Sequence, residues 1–172
     1  MEQLSYNNAV LALRQAPMHV RALAKEIQVS GMQASRLLRR FQEQLLVDYT
    51  REGRNKVYFL KNTIEARSAV DAAEHHKLIA LLQKYPLLRS VIEHIQKDKS
   101  IKLALIFGSY AKGIAKEQSD IDIFIQTNDT TYRERIKMVD SRAAVKTGSL
   151  SVGGPLVNEI NKNHVIIKGV EE

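Results

Sequence analysis

Apolar residues recur at helical spacing through the first forty-five positions, and the period then shortens. Ala9, Val10 and Leu13 share one face of a helix expected at about 5–15, and Val20, Leu23, Ala24 and Ile27 fall at i, i+3, i+4 and i+7 over 19–27. The pattern breaks in "QVSGM" at Gly31, and a third helix is expected at about 32–45 with Leu37, Leu38, Phe41 and Leu45 inward. In "VDYTREGRNKVYFL" two β-prone runs, Val47–Thr50 and Lys56–Leu60, flank the turn-rich Arg51–Asn55, which predicts a hairpin. From Thr63, a natural N-cap, the chain is polar and helix-prone to Tyr85. Pro86 then opens a helix to about Lys97 that carries Leu88, Val91, Ile92 and Ile95.

The remainder alternates short strands with short helices. Ile101–Phe107 is an apolar run that suits a buried strand and ends in Gly108-Ser109. A short helix is expected over Ser109–Gly113, and "EQSDIDIFIQT" reads as a second strand beginning near Ser119. A helix at 131–140, a third strand at 144–152, a turn at Gly153-Gly154, a helix from Pro155 and a final apolar run, Val165–Ile167, complete the chain. The pattern predicts an α+β protein with domains at 1–62 and 86–172 joined by a linker helix at 63–85.

The polar positions of the third helix change the picture. Gln33, Ser35, Arg36, Arg39 and Arg40 face outward, and such side chains reach phosphates and base edges. Arg51, Arg54 and Lys56 cluster about the tip of the hairpin. Two helices joined by a tight turn, the second one basic, followed by a basic hairpin, resemble a winged helix-turn-helix. That resemblance implies a double-stranded DNA partner and a homodimer reading two half-sites. Charge agrees. Residues 1–62 hold 10 Lys and Arg against 5 Asp and Glu, so most of the formal +7 lies there. A concentrated basic face attracts polyanions through counterion release.

The second strand carries an oddity. Side chains alternate along a strand, so Ile121, Ile123 and Ile125 face one way and Asp120, Asp122 and Phe124 the other. Two carboxylates roughly 6–7 Å apart on one face repel each other. A divalent cation relieves this, and two carboxylates plus substrate phosphates form a usual Mg²⁺ ligand set. Gly108 lets the backbone approach a phosphate, Ser109 adds a hydroxyl beside free amide groups, and Lys112 adds charge one turn on.

Gly108-Ser109, ten residues, then Asp120-Ile121-Asp122 resembles the signature of the nucleotidyltransferase superfamily related to DNA polymerase beta, and within it the small minimal nucleotidyltransferases. The resemblance covers about residues 86–172 and implies an α/β domain with a small mixed sheet. It implies that Asp120 and Asp122 bind Mg²⁺ or Mn²⁺ as the catalytic carboxylates. Gly108, Ser109 and Lys112 would hold a nucleoside triphosphate, with ATP the expected one. The reaction it implies moves a nucleoside monophosphate to a hydroxyl and releases pyrophosphate. A HEPN-type toxin partner is implied for an antitoxin of this kind. One feature departs from the pattern: active members carry a third carboxylate on a later strand, and "AVKTGSLSV" offers Lys146, Thr147 and Ser149 instead. Asp140, just ahead of it, is the nearest substitute in sequence. The alternative is a DNA-binding regulator whose transferase domain is degenerate and serves as a nucleotide sensor or dimerisation module.

The chain contains no cysteine, which excludes thiolate chemistry and disulfides and fits a cytoplasmic protein. No apolar run approaches a membrane span, and "MEQLSYNNAV" lacks the form of a signal peptide. His75 and His76 diverge by about 100° on a helix and are expected to face solvent or core rather than share an ion.

Overall fold

The computed structural model describes residues 2–150 and 154–169. The chain divides into two compact units, Met1–His76 and Lys77–Glu172. The first contains α1 (Glu2–Gln15), β1 (Met18–His19), α2 (Val20–Glu26), α3 (Gly31–Glu43), β2 (Val47–Glu52), β3 (Asn55–Leu60) and the first part of α4 (Ile64–Lys84). The second contains the rest of α4, a 3₁₀ turn at Pro86–Leu88, and then α5 (Arg89–Lys97), β4 (Ala104–Ile106), α6 (Gly108–Ala111), β5 (Ile121–Gln126), α7 (Tyr132–Val139), β6 (Ala143–Gly148), α8 (Pro155–Lys162) and β7 (Val165–Lys168). The fold is α+β: a winged helix-turn-helix followed by an α/β unit with a four-stranded mixed sheet.

Three helices of the first unit bury one apolar stripe each. Val10, Leu23, Leu38 and Phe41 are almost fully enclosed. Phe41 stacks edge-on against Tyr6, ring centroids 4.8 Å apart. Both helix ends around the turn differ from the sequence expectation. α2 stops because Gln28 takes φ +56°, and Val29 N–H returns to the Ala24 carbonyl at 2.9 Å. Gly31 is therefore the first residue of α3 rather than the break, and Ser30 is its N-cap. α3 stops in the same way, with Leu45 at φ +60° and Leu46 N–H on the Phe41 carbonyl at 2.8 Å. Leu45, expected inward, is consequently half exposed, and Leu46 and Val47 fill the core.

The wing is longer than the sequence suggested. Arg51 pairs with Lys56 and Glu52 with Asn55, so the turn shrinks to Gly53-Arg54. The two-residue β1, unforeseen, pairs with β3 on its other edge. Thr63 caps α4 by accepting from Ala66 N–H at 3.2 Å.

In the second unit the strand order is β6-β5-β4-β7. β5 runs parallel to β6, and β4 is antiparallel to both β5 and β7. Both sheet faces are covered. Ile121, Ile123 and Ile125 join Ala104 and Ile106 in a core with Val91, Ile95 and Ile136. Phe124, Leu103, Leu105 and Phe107 join Ile160 of α8 on the opposite face. The alternation of β5 thus places the isoleucines in the larger core, and Asp122 on the face of Phe124, as expected. Lys168 Nζ donates to the Ile95, Gln96 and Asp98 carbonyls at the end of α5. Among the described residues no helix is long and apolar enough to cross a membrane.

Candidate functional site

The turn from β4 into α6 is built around Asp122. Phe107 N–H donates to the Asp122 carbonyl at 3.0 Å and carries the β4–β5 pairing up to the Gly-Ser. Gly108 then adopts φ +68°. A Cβ at that position would lie 2.1 Å from Asp122 Oδ2, so the Asp122 carboxylate fills the space that glycine leaves. Ser109, partly buried, is the next residue of the four-residue α6.

Side-chain contacts pin the ten residues between Ser109 and Asp120. Tyr110 is buried, packs edge-on against Tyr85 at 4.9 Å, and its hydroxyl reaches the Ser119 carbonyl. Lys84 Nζ holds the Gly113 carbonyl at 2.7 Å. Ser119 Oγ accepts from Lys116 N–H at 2.9 Å. Asp120 follows as the exposed residue immediately before β5.

Neither Asp120 nor Asp122 accepts a side-chain hydrogen bond or forms an ion pair among the described residues. Burial raises the Asp122 pKa above the usual carboxylate value, and the charges of Asp120 and Glu159 add to the rise. Lys146 and Lys112 act in the opposite sense. Two unpartnered carboxylates, one held against a glycine, form an all-oxygen donor set suited to a hard divalent cation.

The positions that could supply a third carboxylate are also fixed. On β6, Ala144 pairs with Asp122 and Lys146 with Phe124, so the neighbouring strand offers no acid there. Asp140 ends α7 and accepts from the Arg142 guanidinium at 2.8 and 3.1 Å and from its backbone N–H at 3.0 Å, which lowers its pKa. Glu159 of α8, not foreseen as a site residue, is the second acid, after Asp120, whose charge reaches Asp122. Its Oε1 lies 3.4 Å from Lys112 Nζ. No local pattern marks Glu159, because its placement depends on how α8 packs Ile160 under the sheet.

The eight residues expected at a DNA face are all exposed, five on α3 and three on the wing. They are not equivalent. Gln33 completes a capping box with Ser30, its Oε1 accepting from Ser30 N–H at 3.0 Å. Arg40 is 3.3 Å from Glu2 and lies over the Tyr6 ring at 5.2 Å. Gln33, Arg36 and Arg40 border an open groove of about 860 Å³ between α3 and α1. Ser35 and Arg39 lie outside that lining. On the wing, Lys56 Nζ stacks over Tyr49 at 4.0 Å, and Arg54 is at the turn.

Residues 89–167 match the family model described as Polymerase beta, Nucleotidyltransferase. That span contains the Gly-Ser, both aspartates, Lys112, Lys146 and Glu159. A comparison with curated proteins finds no match. Among solved structures, the adhesin competence repressor from Streptococcus pyogenes is similar at 19% identity and a TM-score of 0.43. The likeness covers 49% of this chain and spans 64% of that repressor's length. A crystal structure of a toxin-antitoxin with AMP-PNP is similar at 20% identity, covering 56% of this chain and 73% of that one, with a TM-score of 0.33.

Proposed function

We propose that residues 86–172 bind a nucleoside triphosphate, ATP first among them, through Gly108, Ser109 and Lys112. Asp120 and Asp122 hold a divalent cation, Mg²⁺ or Mn²⁺, which when bound neutralises phosphate charge. The activity is transfer of the nucleoside monophosphate to a hydroxyl: the α–β phosphoanhydride bond breaks, a phosphoester forms at the acceptor oxygen, and pyrophosphate leaves. The single observation supporting this reading is the unpartnered Asp120 and Asp122, the latter set against Gly108, within the span that matches the nucleotidyltransferase family model.

In the same proposal residues 1–62 bind double-stranded DNA through α3 and the wing, 63–85 connect the two domains, and the protein acts as a homodimer. A toxin-antitoxin role with a HEPN-type protein as acceptor fits a transferase that regulates its own operon.

A second reading keeps nucleotide binding but not turnover. It is favoured by β6, where Ala144 pairs with Asp122 and Lys146 with Phe124, so that strand brings no carboxylate. The protein would then be a DNA-binding regulator that senses nucleotide. Pyrophosphate release from each of the four nucleoside triphosphates, with Mg²⁺ and the neighbouring gene's product as acceptor, separates the two. Release that disappears in Asp120→Asn/Asp122→Asn supports transfer. Nucleotide binding without release supports the sensor.

A further inference from the structure

β6 is an edge strand, so a lysine on it has a simple explanation: it blocks pairing with another sheet edge. The register gives Lys146 a second role. Parallel pairing sets Ala144 beside Asp122 and Lys146 beside Phe124, and paired residues share a face of the sheet. Lys146 therefore rises on the face that carries Asp122. Its charge reaches that carboxylate, yet it makes no hydrogen bond or ion pair among the described residues. Lys112 reaches the same carboxylate from the end of α6. Asp122 is thus influenced by two ammonium groups carried on different elements.

We infer that Lys146 is a polyphosphate-binding residue that stands where a second metal ion would need an oxygen ligand, so the site takes one divalent cation and two lysines. This rests on the nucleotide-binding reading above. A second ion about 3.5–4 Å from the first requires donors on its far side. Ala144 has none, the Glu159 carboxylate is paired with Lys112 at 3.4 Å, and an ammonium group repels a cation. An exposed, unpaired lysine on a flexible stem can instead follow a phosphate oxygen as a point charge. The same charge that attracts the nucleotide opposes the metal when no nucleotide is present. An edge-guarding lysine would affect neither.

That opposition in sign provides the test. Mn²⁺ binding to the full chain is counted by electron paramagnetic resonance, alone and with the α,β-methylene analogues of ATP, GTP, CTP and UTP, and analogue affinity is measured by calorimetry. Wild type is expected to bind one Mn²⁺ per chain with the preferred analogue. Lys146→Met should weaken the analogue about 10-fold, the scale of one charge-assisted hydrogen bond, while binding Mn²⁺ alone more tightly than wild type. Lys146→Arg should restore analogue affinity to within about 2-fold, the charge being kept. Lys146→Glu should admit a second Mn²⁺. Two Mn²⁺ in wild type, or unchanged analogue affinity in Lys146→Met, would overturn the inference and leave the nucleotide site standing. A wild type that binds neither Mn²⁺ nor any analogue would overturn the nucleotide reading itself and this inference with it.

Discussion

Gly108 and Asp122 share one space: the hydrogen of the glycine points where the carboxylate lies, and a methyl group there would meet Oδ2 at 2.1 Å. The relationship links the Gly-Ser turn to the aspartate strand. It also couples the conformation of the turn to the placement of the carboxylate. The turn needs φ +68°, and the aspartate needs the absence of a Cβ. Glycine satisfies both.

Gly108→Ala is accordingly expected to be severe. A left-handed alanine costs about 1–2 kcal/mol by backbone conformation alone, and the clash adds to it. Chemical denaturation should show the loss, and Mg²⁺-dependent nucleotide binding should fall further than stability because Asp122 is displaced. A variant with wild-type stability and binding would show that the turn is free to relax.

Asp122 should also leave a mark on the pH dependence of stability. Its pKa is raised in the folded chain by burial, helped by Asp120 and Glu159. The folded state therefore favours the protonated form. The penalty for the charge is absent below the unfolded value of about 3.9 and complete once pH exceeds the folded pKa. Asp122→Asn should raise the melting temperature at pH 7 by a few degrees at most, since the group is partly solvated. The gain should vanish near pH 3.5. A melting temperature lowered at pH 7 would contradict the assignment of Asp122 as an uncompensated charge.

Glu159 occupies Lys112 at 3.4 Å, and a bound phosphate would compete for that lysine. Exposed pairs of this kind contribute about 0.2–1 kcal/mol. Glu159→Gln should therefore tighten binding of a nucleoside triphosphate measured without metal by up to about 5-fold. Weaker binding would mean that Glu159 supports the nucleotide directly.

On the proposed DNA face the arginines of α3 separate into two kinds. Arg40 is held by Glu2 and Tyr6, while Arg39 has no hydrogen bond or ion pair among the described residues. Arg39→Ala should lower the slope of log K against log salt by about 0.9, the value of one phosphate contact. Arg40→Ala should change the slope less and lower the melting temperature, because Tyr6 loses a stacking partner beside Phe41. Equal slopes for both variants and wild type would remove α3 from the contact surface.

The periodic parts of this chain could be read directly. Helical stripes such as Val20/Leu23/Ala24/Ile27 and the alternation of β5 follow from residue type and spacing, and both appear in the structure. Helix ends were less legible. Gln28 and Leu45 take left-handed conformations that glycine normally marks, so α2 and α3 stop without a sequence signal. β1 was hidden because two residues, Met18 and His19, carry no period. At the candidate site, the approach of the Gly-Ser turn to Asp122 was legible because it is local to two adjacent strands. Glu159 was not, since its approach to Lys112 depends on packing across 47 positions of chain. The third strand was expected to continue to Val152, but β6 ends at Gly148; Val152 and Gly153 lie outside the described residues.

Asp120 and Asp122, as proposed, form a metal-dependent nucleotide site. Calorimetric titration of ATP, GTP, CTP and UTP, each with Mg²⁺, into wild type and Asp120→Asn/Asp122→Asn tests it without knowledge of an acceptor. Wild type is expected to bind in a Mg²⁺-dependent way with a preference for one base, and a double variant that remains folded is expected not to. Equal binding by both proteins, or none by wild type, would contradict it.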